Sequence, residues 1–314
     1  MVYNQRAIFE SRDLYTQYAR RGSQVRGIAN IGKPSNVSSN TPSASFKNKD
    51  NDKNKRSLSE RMSLVGKTTV ITGGARGIGL SLVEGVAEVG GDVAVLDVLE
   101  KPQTDLSTLG IKAKYYRTDV TKIDALEETF RQIKSDFGRI DNCVTAAGIV
   151  ADKSFFDHSW EECEKLLQVN VLGTFFCAQL AAKAIKDQGS GGSLVFIASI
   201  ASHIALPLQR LPMYGATKGA VRVMMKQLAA ELAPLKIRVN TVSPGFIRTD
   251  MTDLCATQQP ELYSVFSSAP PMGRIGETSD ITGAVNYLLS DASSYTTGAD
   301  IPITGGLIAG RIAN

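Results

Sequence analysis

From Val65 onward, short apolar runs alternate with longer segments in which apolar positions recur with a helical period. The short runs are apolar at nearly every position and rich in β-branched residues, which is typical of strands buried on both faces of a parallel sheet. Seven runs are predicted as strands, namely KTTVITG, DVAVLD, AKYYRTDV, RIDNCVTAAG, GGSLVFIAS, KIRVNTVSPG and ADIPITGG. Because helical segments separate most of them, the pattern predicts an α/β fold with one doubly wound, seven-stranded parallel sheet covered by helices on both faces.

The first 62 residues do not share this alternation. Residues 33–57 are rich in Ser, Asn, Lys and Pro and almost free of large apolar side chains. Such a segment buries too little surface to offset the entropy of ordering, so a disordered linker is expected. Residues 3–26 are compatible with a short basic amphipathic helix. We therefore divide the chain into a basic, largely disordered leader and linker, residues 1–62, and one domain, residues 63–314.

The charge follows the same division. The chain of 314 residues has a net charge of +4, but residues 1–62 hold 12 Lys or Arg and 5 acidic residues, so the remainder is mildly acidic. A basic, Ser-containing leader is typical of a mitochondrial transit peptide and equally compatible with an extension that carries no address. The expected location is therefore cytoplasmic or mitochondrial. No recognisable binding module accompanies the leader, so no nucleic-acid partner is expected.

Composition also bears on membrane and metal binding. The chain has no uninterrupted run of 18 apolar residues, so no membrane span is expected. Its four Cys lack the spacing of metal ligands and it contains only two His. The sequence therefore predicts no metal site.

The first predicted strand runs directly into a glycine-rich turn, TGGARGIG at residues 72–79, which opens a helix. In Rossmann-like folds such glycines let the backbone approach a pyrophosphate held at the helix N-terminus. We therefore expect a dinucleotide cofactor at this turn. The residues predicted to contact it here are Gly73, Arg76, Gly77, Ile78 and Gly79.

The next two strand ends bear on the adenosine half of that cofactor. Asp97 ends the second strand, where a carboxylate accepts hydrogen bonds from ribose hydroxyls and repels a 2′-phosphate, which favours NAD. Arg76 is a cation able to pair with a 2′-phosphate, so it is compatible with NADP. Asp119 and Val120 follow the third strand, and Asp119 either caps the next helix or bonds the adenine amino group.

The segment YGATK, residues 214–218, places Tyr214 and Lys218 one helical turn apart on a common face. A phenol with its usual pKa of about 10 is a poor acid or base at neutral pH. A neighbouring ammonium favours the phenolate, so Lys218 is expected to lower the pKa of Tyr214. The spacing also occurs between unrelated surface residues, so it needs further support. Ser199, at the carboxyl end of the fifth strand, and Asn170, a polar residue in an apolar helix, provide that support.

Together these motifs resemble the classical short-chain dehydrogenase/reductase family over residues 64–314. The matching features are TGGARGIG, Asp119-Val120, AAG at 146–148, Asn170, Ser199, YGATK and SPGFIRT at 243–249. The resemblance implies a catalytic tetrad in which Tyr214 exchanges the hydroxyl proton and Ser199 bonds the reacting oxygen. Lys218 would lower the pKa of the tyrosine and bind the nicotinamide ribose, and Asn170 would hold a water that links Lys218 to solvent. Further cofactor contacts are implied for Ala147, Gly148, Tyr214, Lys218, Pro244, Gly245, Ile247 and Thr249.

Two departures narrow the resemblance. The segment Thr145–Gly148 stands where most members have NNAG, and the 15 residues from Ser199 to Tyr214 exceed the usual separation. With SSYTTG at 293–298, these features resemble the fungal polyol and ketose dehydrogenases, the group that includes D-arabinitol dehydrogenase. The resemblance also implies a homodimer or homotetramer formed through the helices at 160–187 and 212–233.

The loop IASHIALPLQRLPM between Ser199 and Tyr214 is mostly apolar, whereas each buried hydroxyl of a polyol needs a polar partner. His203 in this loop is either a substrate ligand or a solvated residue. The sequence predicts an NAD(P)(H)-dependent oxidoreductase that interconverts a secondary alcohol and a ketone, with a polyol or ketose favoured. The alternatives are a reductase of 3-oxoacyl thioesters or of an apolar ketone, and a dinucleotide-sensing interaction protein without turnover.

Overall fold

The computed structural model describes residues 56–310, and the predicted leader up to residue 55 lies outside the described residues. The strands are β1 (Thr68–Thr72), β2 (Asp92–Asp97), β3 (Ala113–Arg117), β4 (Asn142–Thr145), β5 (Gly192–Ile197), β6 (Ile237–Pro244) and β7 (Asp300–Ile303). They form one sheet in the order β3-β2-β1-β4-β5-β6-β7, in which every neighbouring pair is parallel. The predicted α/β fold with a seven-stranded parallel sheet is confirmed.

Helices cover both faces of this sheet. They are α1 (Leu58–Met62), α2 (Gly77–Glu88), α3 (Ile123–Phe137), α4 (Trp160–Leu167), α5 (Thr174–Gln188), α6 (Pro212–Leu232), α7 (Asp250–Gln258), α8 (Pro260–Ser268) and α9 (Ser279–Leu289). Successive strand residues point to opposite faces, so Val70 packs in a core with α3, α5 and α6, whereas Ile71 packs in a second core with α2 and α9. Strands buried on both sides explain why their sequences are apolar throughout.

Helix α1 falls inside the segment predicted as leader and linker. Its first turn is closed by a capping box in which Ser57 and Glu60 bond each other's backbone N–H groups. The Arg56 guanidinium lies 3.0 Å from the carboxylate of Asp291, and the Ser290 hydroxyl lies 3.6 Å from the Met62 sulfur. The last residues of the predicted leader are therefore attached to the domain.

The segment predicted as one helix at 160–187 is interrupted. Between α4 and α5 the residues Gln168–Gly173 form a π-helical turn, with Asn170 fully buried inside it. Such turns are frequent at functional sites because they redirect one side chain. The stretch Trp160–Gln188 is apolar enough by composition to cross a membrane. In the fold, however, one face of α5, with Cys177, Ala181 and Ile185, is buried against the sheet as in the core helix of a globular domain, while Phe175 on the same helix is exposed.

The order of the strands also determines where a ligand can bind. The chain adds strands on one side of β1 up to β3 and on its other side from β4 to β7. In doubly wound sheets, the connections at such a reversal diverge and leave a crevice at the carboxyl ends of the two central strands. Here that crevice lies above β1 and β4.

Candidate active site

A cavity of about 1130 Å³ occupies the crevice. It is lined by all but one of the residues predicted to contact a cofactor, and these are Gly73, Arg76, Gly77, Ile78, Gly79, Asp97, Asp119, Val120, Ala147, Gly148, Tyr214, Lys218, Pro244, Gly245 and Thr249. The exception is Ile247, whose side chain is 6% exposed and packs in the core beside α2 and α9. Ser199 also lines the cavity, and Asn170 lies behind the wall.

The glycine-rich turn leaves no room for side chains where it meets its neighbours. A Cβ on Gly73, which has φ of +70°, would lie 2.6 Å from the backbone nitrogen of Ala147. A Cβ on Gly79 would lie 1.9 Å from the carbonyl oxygen of Gly73. The first turn of α2 therefore closes onto the strand end, and its N-terminus faces the cavity. This arrangement fits a dinucleotide pyrophosphate, which is bound by backbone N–H groups at a helix N-terminus.

Asp97 and Arg76 stand together at the adenosine end of the cavity. The Asp97 carboxylate accepts hydrogen bonds from the backbone nitrogens of Ala75 at 3.0 Å and Leu99 at 3.2 Å. It is therefore fixed beside the glycine turn and retains lone pairs for a ribose hydroxyl. Arg76 precedes the first residue of α2, and its guanidinium has no hydrogen-bond partner among residues 56–310. One anion and one cation thus line the same end of the cavity.

Asp119 does not cap the helix that follows it. Its Oδ1 accepts from the backbone nitrogen of Thr121 at 2.9 Å and from the Thr121 hydroxyl at 2.8 Å, which closes a local turn. Helix α3 begins at Ile123, and the residue before it is Lys122. Of the two roles considered for Asp119, helix capping is not observed, and a contact with adenine stays a prediction.

Three of the four predicted catalytic residues converge on the opposite end of the cavity. Ser199 follows β5, and its Oγ accepts from the backbone nitrogen of Ala201 at 3.1 Å. The phenol of Tyr214 on α6 faces the Ser199 side chain, whose hydroxyl acts to lower the pKa of the phenol. One turn further along α6, the Lys218 ammonium lies 5.9 Å from the centre of the Tyr214 ring. Two hydroxyls and a primary amine therefore face the same volume.

Asn170 links the loop after β4 to α6. Its amide nitrogen donates to the carbonyl oxygen of Ile149 and to the Thr217 hydroxyl, both at 3.0 Å. Its amide oxygen accepts from the backbone nitrogen of Ile149 at 2.9 Å. Thr217 in turn donates to the carbonyl oxygen of Tyr214 at 2.7 Å. Thr217 was not among the predicted site residues. Its place within YGATK, next to Lys218 and three residues after Tyr214, could have indicated it.

Burial controls the protonation of the two α6 side chains. It lowers the pKa of Lys218 to about 8, since an ammonium removed from water is disfavoured. Burial likewise raises the pKa of Tyr214, and the nearby Ser199 hydroxyl only partly opposes this rise. The expected lowering of the tyrosine pKa by Lys218 is therefore not what the protein side chains alone produce. What they provide is a protonated phenol within reach of a hydroxyl, an arrangement suited to hold an oxygen and donate a proton to it.

The loop between Ser199 and Tyr214 and the segment after β6 both pack into the fold. His203 is neither solvated nor directed at the cavity, because its Nε2 lies 2.8 Å from a carboxylate oxygen of Asp300. Phe266 on α8 is 3% exposed and stacks on Phe246, with 4.5 Å between ring centres. Both side chains therefore fix their segments to the rest of the domain.

Comparison with known proteins gives consistent matches. Residues 73–308 match the protein family described as Enoyl-(Acyl carrier protein) reductase. A probable NADP-dependent mannitol dehydrogenase of Yarrowia lipolytica is 38% identical over 257 residues, which cover 80% of this chain and 91% of that protein. A sorbose reductase of Schizosaccharomyces pombe is 39% identical over 256 residues, covering 79% and 98% of the two chains.

Solved structures agree with these matches. A short-chain type dehydrogenase/reductase from Mycobacterium marinum is similar to this chain with a TM-score of 0.76 at 38% identity, covering 80% of this chain and 99% of that one. The family match at 73–308 includes the glycine-rich turn, the π-helical turn and the end of β5. The similarity therefore extends over the cavity as well as the fold.

Proposed function

Because the chain belongs to the short-chain dehydrogenase/reductase family, and is thus an oxidoreductase that interconverts an alcohol and a carbonyl with a nicotinamide dinucleotide, we propose that it acts on a polyol and its ketose. The observation that carries the proposal is the convergence of Ser199, Tyr214 and Lys218 on the cavity that also holds the glycine-rich turn. The mannitol dehydrogenase and sorbose reductase activities named for similar proteins support this substrate class.

The proposed roles follow from the contacts of each side chain. A bound nicotinamide supplies or accepts the hydride. Tyr214 donates its hydroxyl proton to the carbonyl oxygen in reduction and takes it back in oxidation. Ser199 and Tyr214 line the same part of the cavity, so an oxygen placed between the two hydroxyls receives a hydrogen bond from each. This pairing holds the substrate oxygen where its charge develops.

We propose that Lys218 and Asn170 form a relay for the proton that Tyr214 exchanges with the substrate. The Lys218 amine and the Asn170 amide oxygen both flank Gly148, each 3.4 Å from where a Cβ of that residue would lie. Both donor positions of the Asn170 amide are occupied, whereas its oxygen retains a second lone pair. We propose that a water held at this lone pair links Lys218 to solvent.

The choice between NAD and NADP is assigned to the two charged residues at the adenosine end. We propose that Asp97 selects NAD, because a fixed carboxylate beside the ribose repels a 2′-phosphate. Arg76 favours NADP, and the NADP-dependent mannitol dehydrogenase among the similar proteins supports that alternative. The two residues act in opposite directions, so separate substitutions decide between them.

A second candidate substrate is an apolar ketone or a 3-oxoacyl thioester. It is favoured by the apolar character of the loop between Ser199 and Tyr214, which lines a smaller cavity of about 380 Å³. The matching family is described as Enoyl-(Acyl carrier protein) reductase, a name that likewise refers to an acyl thioester substrate. Both candidates use the same hydroxyl pair and differ only in what surrounds it.

The experiment that separates these candidates is a substrate panel with both cofactors. Polyols, hydroxysteroids and β-hydroxyacyl compounds are each supplied with NAD and with NADP, and formation of the reduced cofactor is followed by absorbance. We expect the highest kcat/KM with a polyol. A higher kcat/KM for a hydroxysteroid or a β-hydroxyacyl compound would transfer the assignment to the second candidate, and no turnover with any would favour a dinucleotide sensor.

We further propose that the chain assembles as a homodimer or homotetramer. Large apolar side chains are exposed along α4, the π-helical turn, α5 and α6, namely Trp160, Leu167, Leu172, Phe175 and Val223. Exposed apolar residues grouped on two long helices are typical of an interface between subunits. A second copy of the same chain would cover them.

We propose that the basic leader determines where in the cell the protein is located. Residues 1–55 lie outside the described residues, so we propose a mitochondrial address from composition alone, with a cytoplasmic extension as the alternative. A fluorescent fusion of the full chain, compared with a fusion that begins at Arg56, tests this. Mitochondrial fluorescence that depends on residues 1–55 is the expected result, and cytoplasmic fluorescence of both fusions would reject it.

A further inference from the structure

A cluster of ionisable side chains lies beneath the turn that follows β5. At its centre is Asp300, the first residue of β7, whose side chain is 10% exposed. Its Oδ1 accepts from the hydroxyls of Thr241 and Ser243 on β6, each at 2.7 Å. Its Oδ2 lies 2.8 Å from His203 Nε2 and 3.0 Å from Arg222 Nε. Four donors therefore fix one carboxylate, which satisfies its charge and holds its position.

Arg222 connects the Asp300 carboxylate to the two elements that carry Ser199 and Tyr214. It lies on α6, two turns beyond Tyr214 and on the same side of the helix. While its Nε holds Asp300, its Nη1 donates to the carbonyl oxygen of Ser202 at 2.8 Å. The Ser202 hydroxyl then donates to the carbonyl oxygen of Ser199 at 2.6 Å. One guanidinium thus joins three elements. These are α6, which carries Tyr214, the turn from Ser199 to Ser202, called the serine turn below, and β7 at the edge of the sheet.

We propose that Arg222, held in place by Asp300, is a positioning residue that sets the distance between Ser199 and Tyr214. The inference rests on the proposed function, because this distance matters only if the two hydroxyls share a substrate oxygen. The planar guanidinium has fixed N–H directions, so it restricts angle as well as distance. Rotation of α6 against the serine turn would break a charge-assisted hydrogen bond.

His203 supports the same arrangement from the other side. His203 is the residue after Ser202. Its Nε2 contacts the same carboxylate oxygen of Asp300 that Arg222 contacts. The assigned role of His203 is therefore to keep the carboxylate facing Arg222. A side chain with a donor in the place of Nε2 is expected to serve equally well, whereas an apolar one is not.

The sharpest variant is Arg222→Lys, because it keeps the positive charge beside Asp300 but offers a single nitrogen. A lysine that pairs with Asp300 loses the hydrogen bond to Ser202, so the serine turn is released while the buried carboxylate stays compensated. Misplacing a reacting group by about 1 Å can lower a rate about 100-fold. We expect Arg222→Lys to lower kcat about tenfold or more, with the Kd of the cofactor within about twofold of the wild-type value.

A double-mutant cycle tells positioning from a general loss of structure. If Arg222 acts through Ser199, Arg222→Lys lowers kcat in the wild type but not in the Ser199→Ala background. The pH profile gives a second readout, because the Ser199 hydroxyl acts to lower the pKa of Tyr214. The acid limb of kcat for alcohol oxidation should therefore move to higher pH in Arg222→Lys, as it should in Ser199→Ala.

Arg238→Lys is the matched control. Arg238 also bonds backbone oxygens across elements, with Nη1 at 2.7 Å from Leu288 O and Nη2 at 3.1 Å from Ser290 O, whereas Arg222 bonds Asp300 and Ser202. We expect this variant to lower Tm and leave kcat and the pH profile unchanged. If Arg222→Lys does not fold, His203→Leu and His203→Gln replace it. His203→Leu should lower kcat and His203→Gln should restore it.

Two results would overturn the inference. One is a kcat of Arg222→Lys within twofold of the wild type, and the other is an equal loss of kcat in the wild-type and Ser199→Ala backgrounds. In the replacement pair, equal kcat values for His203→Leu and His203→Gln would do the same. Failure of the proposed function is recognised separately, because the wild-type protein would then show no turnover of a polyol with either cofactor, whatever the behaviour of Arg222.

Discussion

The amine of Lys218 donates a hydrogen bond to the carbonyl oxygen of Ile197, the last residue of β5, at 2.8 Å. This bond joins the helix that carries Tyr214 to the strand that leads into Ser199. A buried ammonium is stable only where it finds acceptors, so the bond that fixes the geometry also supports the charge. The site therefore depends on the contact between one helix and one strand, in addition to the four predicted side chains.

Tyr214→Phe removes the proposed proton donor and leaves the ring in place. General acid–base catalysis contributes about 10²- to 10⁴-fold, so kcat should fall by at least that range while the cofactor Kd stays unchanged. Reduced-cofactor absorbance gives the rate, and quenching of protein fluorescence gives the Kd. Tyr295→Phe, at a fully exposed tyrosine, is the control and should be as active as the wild type. Substantial activity in Tyr214→Phe would exclude the proposed mechanism.

Cofactor selection can be tested with two single substitutions. Asp97→Ala should raise kcat/KM for NADP relative to NAD, because it removes the charge that repels a 2′-phosphate. Arg76→Ala should change the ratio in the opposite direction. The ratio of the two kcat/KM values is the measurement. If it stays constant in Asp97→Ala, Asp97 does not select the cofactor.

Gly79→Ala should abolish cofactor binding and lower Tm. The new Cβ would lie 1.9 Å from the carbonyl oxygen of Gly73, and relief requires the turn and the first turn of α2 to move apart. Gly219→Ala on α6 is the control, since no atom lies within 4 Å of its Cβ position. That variant should gain about 0.5–1 kcal/mol from the lower backbone entropy of the unfolded chain. Cofactor titration and thermal unfolding of both variants provide the comparison.

Lys218 should make the stability of the cofactor-free protein depend on alkaline pH. Burial lowers its pKa from 10.5 to about 8, so between these values the unfolded chain binds a proton that the folded protein has released. The free energy of unfolding contributed by this group therefore rises with pH in that window. Lys218→Met removes the contribution, so the variant should gain stability relative to the wild type at pH 7 and lose that advantage by pH 10.

The matched control for this titration is Lys226→Met, at an exposed lysine on the same helix. Tm is measured for the three proteins across the pH range, and each variant is compared with the wild type at each pH. A constant difference between Lys218→Met and the wild type would show that Lys218 does not change its charge on unfolding in this range.

Val223→Arg should dissociate the proposed oligomer. Val223 on α6 is 61% exposed, so the substitution is tolerated in a monomer but places a charge in an apolar contact between copies. Val65→Arg, at an exposed valine before β1, should leave the assembly unchanged. Light scattering after size exclusion gives the mass. A wild-type protein that elutes as a monomer would remove the basis of this proposal.

Much of the fold and of the site follows from local patterns. Apolar runs separated by helical periods predict the parallel sheet, because burial on both faces leaves little place for polar residues. The glycine-rich turn predicts the cofactor end of the cavity, since its conformation and close contacts exclude side chains. The YGATK spacing predicts that Tyr214 and Lys218 share a face, because helix geometry alone brings them together.

The remaining features depend on contacts between distant parts of the chain. Asn170 bonds Ile149 and Thr217, which are 21 and 47 residues away, and the helix that carries it opens into a π-helical turn. The side chain of Ile247 packs in the core, where the segment after β6 is held by its bridge to Gly276, and its contact with the cofactor stays a prediction. No periodicity in either segment reports such contacts.

The sequence by itself therefore determined the class of fold, the glycine-rich turn and the side chains that are proposed to carry out the reaction. Only the tertiary structure decided how the hydroxyl pair is supported, because Arg222 and Asp300 are 78 residues apart and meet where β7 joins the edge of the sheet. Local periodicity records which face of an element is buried. The order of the strands decides which polar groups from distant parts of the chain come into contact.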